Sequence, residues 1–222
     1  MGRFFNLDSP VMVALTKMAD LIIVNLLAFF CCLPIITVGA SMTALHYVVL
    51  KIVRDEECYI VRSFFKSFKE NFKQATGIGI LVLVAGFICS FDIYYAVRMN
   101  QRGMLIIFTI MSIIYLFTVL YVFPLQAQFE NTIKATIKNA FLLSIKNLPW
   151  TLLMAAITAA IIVACYFSSA FLGIMLICAA GLHAYLCSLI LVHLFREYMP
   201  EEEDKPDEDF HLADNEDETK AD

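Results

Sequence analysis

NLLAFFCCLPIITVGA, residues 25–40, begins as the middle of an apolar helix and then sets Pro34, Thr37 and Gly39 where the next turn of that helix is due. Proline has no N–H to donate, and it drives the residue before it, Leu33, toward extended backbone. Upstream, Asp8, Ser9 and Pro10 supply a cap and a first-turn proline, so one helix is expected from 10 to about 33. At 1.5 Å per residue those roughly 24 residues reach about 36 Å, enough to cross a hydrocarbon core of about 30 Å. Downstream, Gly39 reads as the residue that lets the chain reverse sharply, and SMTALHYVVLKIV, residues 41–53, as the return.

Composition supports a membrane reading. Of 222 residues 60% are hydrophobic, and the mean hydropathy is +0.75, outside the range of water-soluble domains. The formal net charge of −5 is an average of two unlike parts: residues 1–199 carry +5, whereas 200–222 hold twelve acids and two bases. That tail is too poor in apolar residues to build a core and is expected to be a disordered cytoplasmic extension of a 1–199 membrane domain. Six of the seven cysteines lie inside apolar runs, where a thiol acts as a small hydrophobe, and none has metal-ligand spacing. The first apolar stretch carries Lys17 and Asp20 and no small-residue cleavage site, so it reads as an anchor and not as a cleaved leader.

Lysine and arginine concentrate on the cytoplasmic side of short loops. Lys51, Arg54, Arg62, Lys66, Lys69 and Lys73 therefore place residues 51–73 inside, leaving Arg98 and Arg102 outside. The expected fold is an all-α integral membrane bundle of six spans, about 10–33, 36–53, 75–97, 104–126, 149–167 and 172–195, arranged as three hairpins with both termini cytoplasmic. The open alternative has five spans, with 34–53 an amphipathic helix on the side of the basic loop. Two linkers are expected to form interfacial helices. In YIVRSFFKSFKENFKQ, residues 59–74, Phe64, Phe65, Phe68 and Phe72 fall within about 100° of arc, opposite Arg62, Lys66, Lys69 and Lys73. In NTIKATIKNAFLLSIKNL, residues 131–148, Ile133, Ile137, Ala140, Phe141, Ile145 and Leu148 share a face beside Lys134, Lys138 and Lys146. Both would turn their apolar face toward lipid or bundle and their lysines toward anionic headgroups of the bilayer.

Polar residues inside spans are costly and need an account. Asn25 suits a hydrogen bond across a helix interface, Lys17 and Asp20 an interfacial pair, and the glycines of GIGIL, residues 77–81, close helix approach. His46 lies in the second span. His183 and His193 are ten residues apart and do not share a helix face, and a proton relay through any of them has only Asp20 or Asp92 to work with. No nucleophile elbow, zinc motif, Walker loop or dinucleotide fingerprint is present, so an enzyme, a cofactor and a catalytic or metal site are not expected. Nucleic-acid binding is equally unsupported, because the bases flank spans and the tail is acidic.

Asn25, then Leu33, Pro34, Ile35, Thr37 and Gly39, then Ala44, Leu45 and Tyr47, followed by FFKSFKENFKQ from Phe64 to Gln74, form a pattern that resembles the YesL-like family, bacterial membrane proteins defined by a domain of unknown function. The resemblance covers the first third of the chain and marks Asn25, Pro34, Thr37, Gly39, Phe68 and Asn71 as candidate motif residues. It implies a multi-pass helical protein of the bacterial cytoplasmic membrane. Through the family's frequent neighbourhood with carbohydrate uptake systems, it also implies an accessory role in sugar acquisition, partnered by a sugar transporter or another membrane protein. A small-solute transporter or permease-like subunit is the alternative: Glu130 and Leu148-Pro149 are spaced like the ends of an importer permease's coupling helix, although Asn131-Thr132, Thr136 and Lys146 depart from that pattern.

Overall fold

A computed structural model describes residues 10–56, 59–167 and 172–196. The acidic tail lies outside them. Among the described residues seven α-helices follow one another, α1 (Pro10–Cys32), α2 (Val38–Val53), α3 (Ile60–Arg98), α4 (Arg102–Gln128), α5 (Ile133–Lys146), α6 (Leu148–Phe167) and α7 (Leu172–Phe195), with one 3-10 turn at Ile35–Thr37. No strand occurs among the described residues. The expected all-α class, with several long apolar helices compatible with a membrane bundle, is what the structure has. By length and composition four segments suffice to cross a bilayer: Leu15–Cys32, Ile35–Val53, α3 and α4. Helices α5 and α6 meet at a 100° bend and add a fifth if taken together. Residues from His193 onward fall into a separate compact unit, of which the end of α7 and Arg196 are described.

The core forms around α2. Ala44, Leu45, Val48, Val49 and Ile52 meet Val24 and Ala28 of α1, Phe64 of α3 and Ala184 of α7 in one buried cluster. Helix α2 packs chiefly on α3, α3 on α4, and α4 on α5. Lys17 near the start of α1 pairs with Asp55 just past the end of α2, so the first two helices run antiparallel. That pairing replaces the expected Lys17–Asp20 contact: a partner across the hairpin is nearer than one three residues along the helix.

Of three further expectations, two give way. The first linker is not a separate interfacial helix, because residues 60–98 run as one helix, about 58 Å long at 1.5 Å per residue. From Ile60 to Thr76 the chain contains no proline or glycine to stop it. The glycines that follow, Gly77 and Gly79, face Ile133 and Gly39 and serve packing instead of a break. On α5 the buried residues are Thr136, Ala140 and Ser144, small and mostly polar, whereas Phe141 and Ile145 are exposed. The apolar face expected against lipid or bundle is thus divided, with Ala140 buried and Ile133 against α3 while Phe141 and Ile145 are exposed.

The third concerns Gly39, which lies in the first turn of α2 and makes no sharp reversal. It rests on α3 between Ala75 and Gly79. Ala75 is only six residues beyond Lys69, about 9 Å of helix. The α1–α2 turn and the basic loop thus stand within far less than a bilayer's thickness of one another.

Candidate functional site

The α1–α2 turn is built by its own polar atoms. Leu33 donates its N–H to Phe30 O at 3.4 Å as α1 ends, and Pro34 takes extended backbone, with φ −77° and ψ 122°. The Thr37 hydroxyl then donates to Cys31 O at 2.6 Å and Pro34 O at 2.8 Å, capping a carbonyl that the end of α1 leaves unpaired. Just beyond, the Ser41 hydroxyl donates to Ala28 O at 2.9 Å and ties α2 back to α1. A Cβ on Gly39 would stand 2.1 Å from Ala75 O and 2.8 Å from Gly79 Cα, so the two backbones touch where α2 and α3 cross. Glycine is required here for space.

A second constellation locks α3, α4 and α5. Gln126, buried at the end of α4, donates from Nε2 to Gln74 Oε1 at 3.0 Å and to Asn71 Oδ1 at 3.4 Å. Its Oε1 accepts from the Thr136 hydroxyl at 2.9 Å. Asn71 in turn donates to Ser67 O at 3.3 Å. The buried members Gln126 and Thr136 each have a partner on another helix, which is the condition for such a network to rigidify. Nearby, the hydroxyls of Tyr121 and Thr151 lie 2.8 Å apart, joining α4 to the first turn of α6, and Thr151 also donates to Ser144 O at 3.0 Å.

A third group sits where α1, α2, α6 and α7 approach. Asn25 is buried against Gly181, whose Cβ position is 3.1 Å from Asn25 Cβ. The amide Nδ2 of Asn25, Nδ1 of His46 and Oγ of Ser188 are buried without a hydrogen-bond partner. His183 Nε2 lies 2.9 Å from Thr158 Oγ1 and 3.5 Å from Cys187 Sγ, and its ring stands within electrostatic reach of His46. Among the described residues no three His, Cys, Asp or Glu side chains are grouped to hold a metal ion.

The six motif residues therefore do not form one pocket. Pro34, Thr37 and Gly39 build the turn and the helix crossing. Phe68 stacks on Phe64 with ring centroids 6.2 Å apart and meets Phe72 at a tilt, 5.5 Å away, beside the core; Asn71 belongs to the Gln126 network, and Asn25 faces α7. Gln126, Gln74 and Thr136 were not marked by the sequence, although a glutamine closing an apolar run and the Thr136, Ala140, Ser144 spacing of four were there to be read.

A family described as "Protein of unknown function, DUF624" matches residues 21–93, which take in the turn, the Gly39–Gly79 crossing, Phe68 and Asn71. The chain is 32% identical over 93 residues to the "Uncharacterized protein YesL" of Bacillus subtilis (strain 168). Over this segment the chain is YesL-like. The aligned part is 42% of this chain and 44% of that relative, less than half of either. No solved structure matches. The YesL-like resemblance is borne out for the N-terminal part, and what it brings is a family of unknown function; the Gln126–Thr136 contact and the His183 group lie beyond the matched residues.

Proposed function

We propose that the chain is a non-enzymatic accessory or regulatory component of the bacterial cytoplasmic membrane that serves carbohydrate uptake by pairing with a transporter. The observation that carries this reading is the open apolar surface of the α3–α4 hairpin. Between Ile80 and Leu116 large side chains, Phe87, Phe91, Ile106 and Ile110 among them, are exposed on both helices. The polar groups between those helices are turned to each other, as where the Tyr115 hydroxyl donates to Val82 O at 2.7 Å. A surface of that kind is satisfied by lipid or by the helix of another membrane protein, where close packing drives association. The link to sugars rests on the YesL-like resemblance. In this reading the α3–α4 hairpin crosses the membrane with the Arg98–Arg102 tip outside, and the α1–α2 turn stays on the inner side with the basic loop. Photo-crosslinking from Phe87 and Ile110 in native membranes tests it: adducts with a sugar-transport protein are expected, and adducts with lipid alone at both positions sink it.

A small-solute transporter is the second reading, favoured by the three partnerless polar atoms of Asn25, His46 and Ser188 inside the bundle. Solute uptake by the purified protein in liposomes, abolished by His46→Ala, is the result that would move the assignment there.

A further inference from the structure

The Gly39 crossing brings together two features that lie apart in the sequence. One is the tip of the α1–α2 turn, where Leu33, Ile35 and Ile36 are 68%, 74% and 63% exposed. The other is the first part of α3, where Arg62, Lys66, Lys69 and Lys73 follow one another at spacings of four, three and four. At 100° per residue these bases fall within about 60° of arc, a single stripe. All four are exposed, while Phe64, Ser67 and Ala75 on the other side of the helix are buried in the protein. Ala75, on which Gly39 rests, is two residues from Lys73. The apolar tip and the end of the basic stripe therefore stand within about two helical turns of each other.

Helix α5 adds to this end of the molecule. The Ile133 side chain reaches the Gly77 position of α3, so α5 starts beside the end of the stripe. Lys134 and Lys138 of α5 are exposed, as are Phe141 and Ile145. From Ala75 onward α3 carries no charge before Asp92, so the basic stripe stops where the apolar run begins.

We propose that the Leu33–Ile36 tip and the Arg62–Lys73 stripe form one docking surface for the inner leaflet, the tip inserting among acyl chains and the bases holding anionic phospholipid headgroups. The proposal deepens the membrane reading above and rests on it. The headgroup layer is about 5–8 Å deep on each side of the hydrocarbon core. Lys73 and Lys69 stand about 3 and 9 Å along the axis from Ala75, the first within that layer and the second at its outer edge, so they carry most of the attraction. Bases of this kind near an anionic surface contribute about a fivefold gain in binding each.

The test uses the full chain in lipid nanodiscs of phosphatidylcholine with and without phosphatidylglycerol, reading retained lipid by native mass spectrometry and hydrogen exchange at residues 33–37. Preferential retention of phosphatidylglycerol is expected, with slower exchange at the tip in the anionic discs. K69Q/K73Q should lower that preference at least fivefold, and R98Q/R102Q at the other end of α3 should leave it unchanged. The proposal is overturned if K69Q/K73Q keeps the preference or if both pairs reduce it equally. Displacement by inorganic phosphate as readily as by lipid would show a free-anion site and overturn it too, as would retention of RNA in place of lipid. Failure of the parent chain to enter even neutral discs would instead overturn the membrane reading itself, a result distinct from a lost preference.

Discussion

At Gly39 the constraint is steric and backbone-to-backbone. A methyl group there meets the Ala75 carbonyl and the Gly79 Cα, neither of which turns aside as a side-chain end does. Gly39→Ala should therefore exceed the ordinary cost of overpacking and destabilise by about 3 kcal/mol. Thermal unfolding in detergent should show a Tm lowered by roughly 6–12 °C. Gly103→Ala is the control, since nothing lies within 4 Å of its Cβ position, and it should stay within about 0.5 kcal/mol of the parent. Equal loss in both variants would show that the crossing is not the cause. The Thr37 hydroxyl is the other tight point of the turn. Thr37→Val keeps the shape and removes the donor to Cys31 O and Pro34 O, so a loss of about 1 kcal/mol is expected by the same measurement.

Helix α3 and the Gln126 network decide how the elements are joined. Because α3 has no break between its basic and apolar parts, amides across 70–78 should be as protected in hydrogen exchange as those on either side; a rapidly exchanging patch there would restore a hinge between two helices. Gln126→Leu removes one member of a buried network and leaves Gln74, Asn71 and Thr136 facing an apolar side chain. The cost should be about 1–3 kcal/mol, and adding Thr136→Val should cost less than the two single changes summed, because both remove the same bond. Periodicity made the helices legible: Pro10, the Pro34 interruption and the apolar runs mark the ends of α1 and α4 to within a residue or two. What periodicity did not carry was whether a charged helix and an apolar helix with nothing between them are one element or two. Gly77 and Gly79 just beyond residue 75 are weak helix formers that could have marked a break, and in the structure they instead let Ile133 and Gly39 pack against a continuous helix. The buried face of α5 was hidden for a related reason: hydropathy leaves an apolar side open to lipid or bundle alike, and Thr136 and Ser144, which are buried, carry no apolar signal.

For the whole molecule the open physical question is which side of the bilayer each end of α3 faces, and the contact at Gly39 constrains the answer. The sequence offers an alternating count of six crossings and, as its open alternative, five with 34–53 lying on the side of the basic loop, because charge bias and length act locally and know nothing of tertiary contact. It marked Asn25, Thr37, Gly39 and Asn71 and said nothing of their partners, which come from α7, α1, α3 and α4. The partners matter for topology. If the tip and the stripe lie on opposite sides of a hydrocarbon core of about 30 Å, Gly39 cannot touch Ala75 while Lys69 lies about 9 Å away along the same helix. Placing the bases of α3 inside the core instead costs about 2.5–3.5 kcal/mol for each at its centre. The arrangement that respects both terms keeps Ile36 and Lys69 on one side and sends Gly103, at the far end of α3–α4, to the other. Single cysteines introduced at Ile36, Lys69 and Gly103, each read above the parent's own labelling with a membrane-impermeant maleimide, separate the cases. Gly103→Cys should label in intact cells, while Ile36→Cys and Lys69→Cys should label only after the inner face is opened. Labelling of Ile36→Cys from outside, with Lys69→Cys reached only from inside, would mean that α2 crosses and that the Gly39–Ala75 contact does not exist in the membrane.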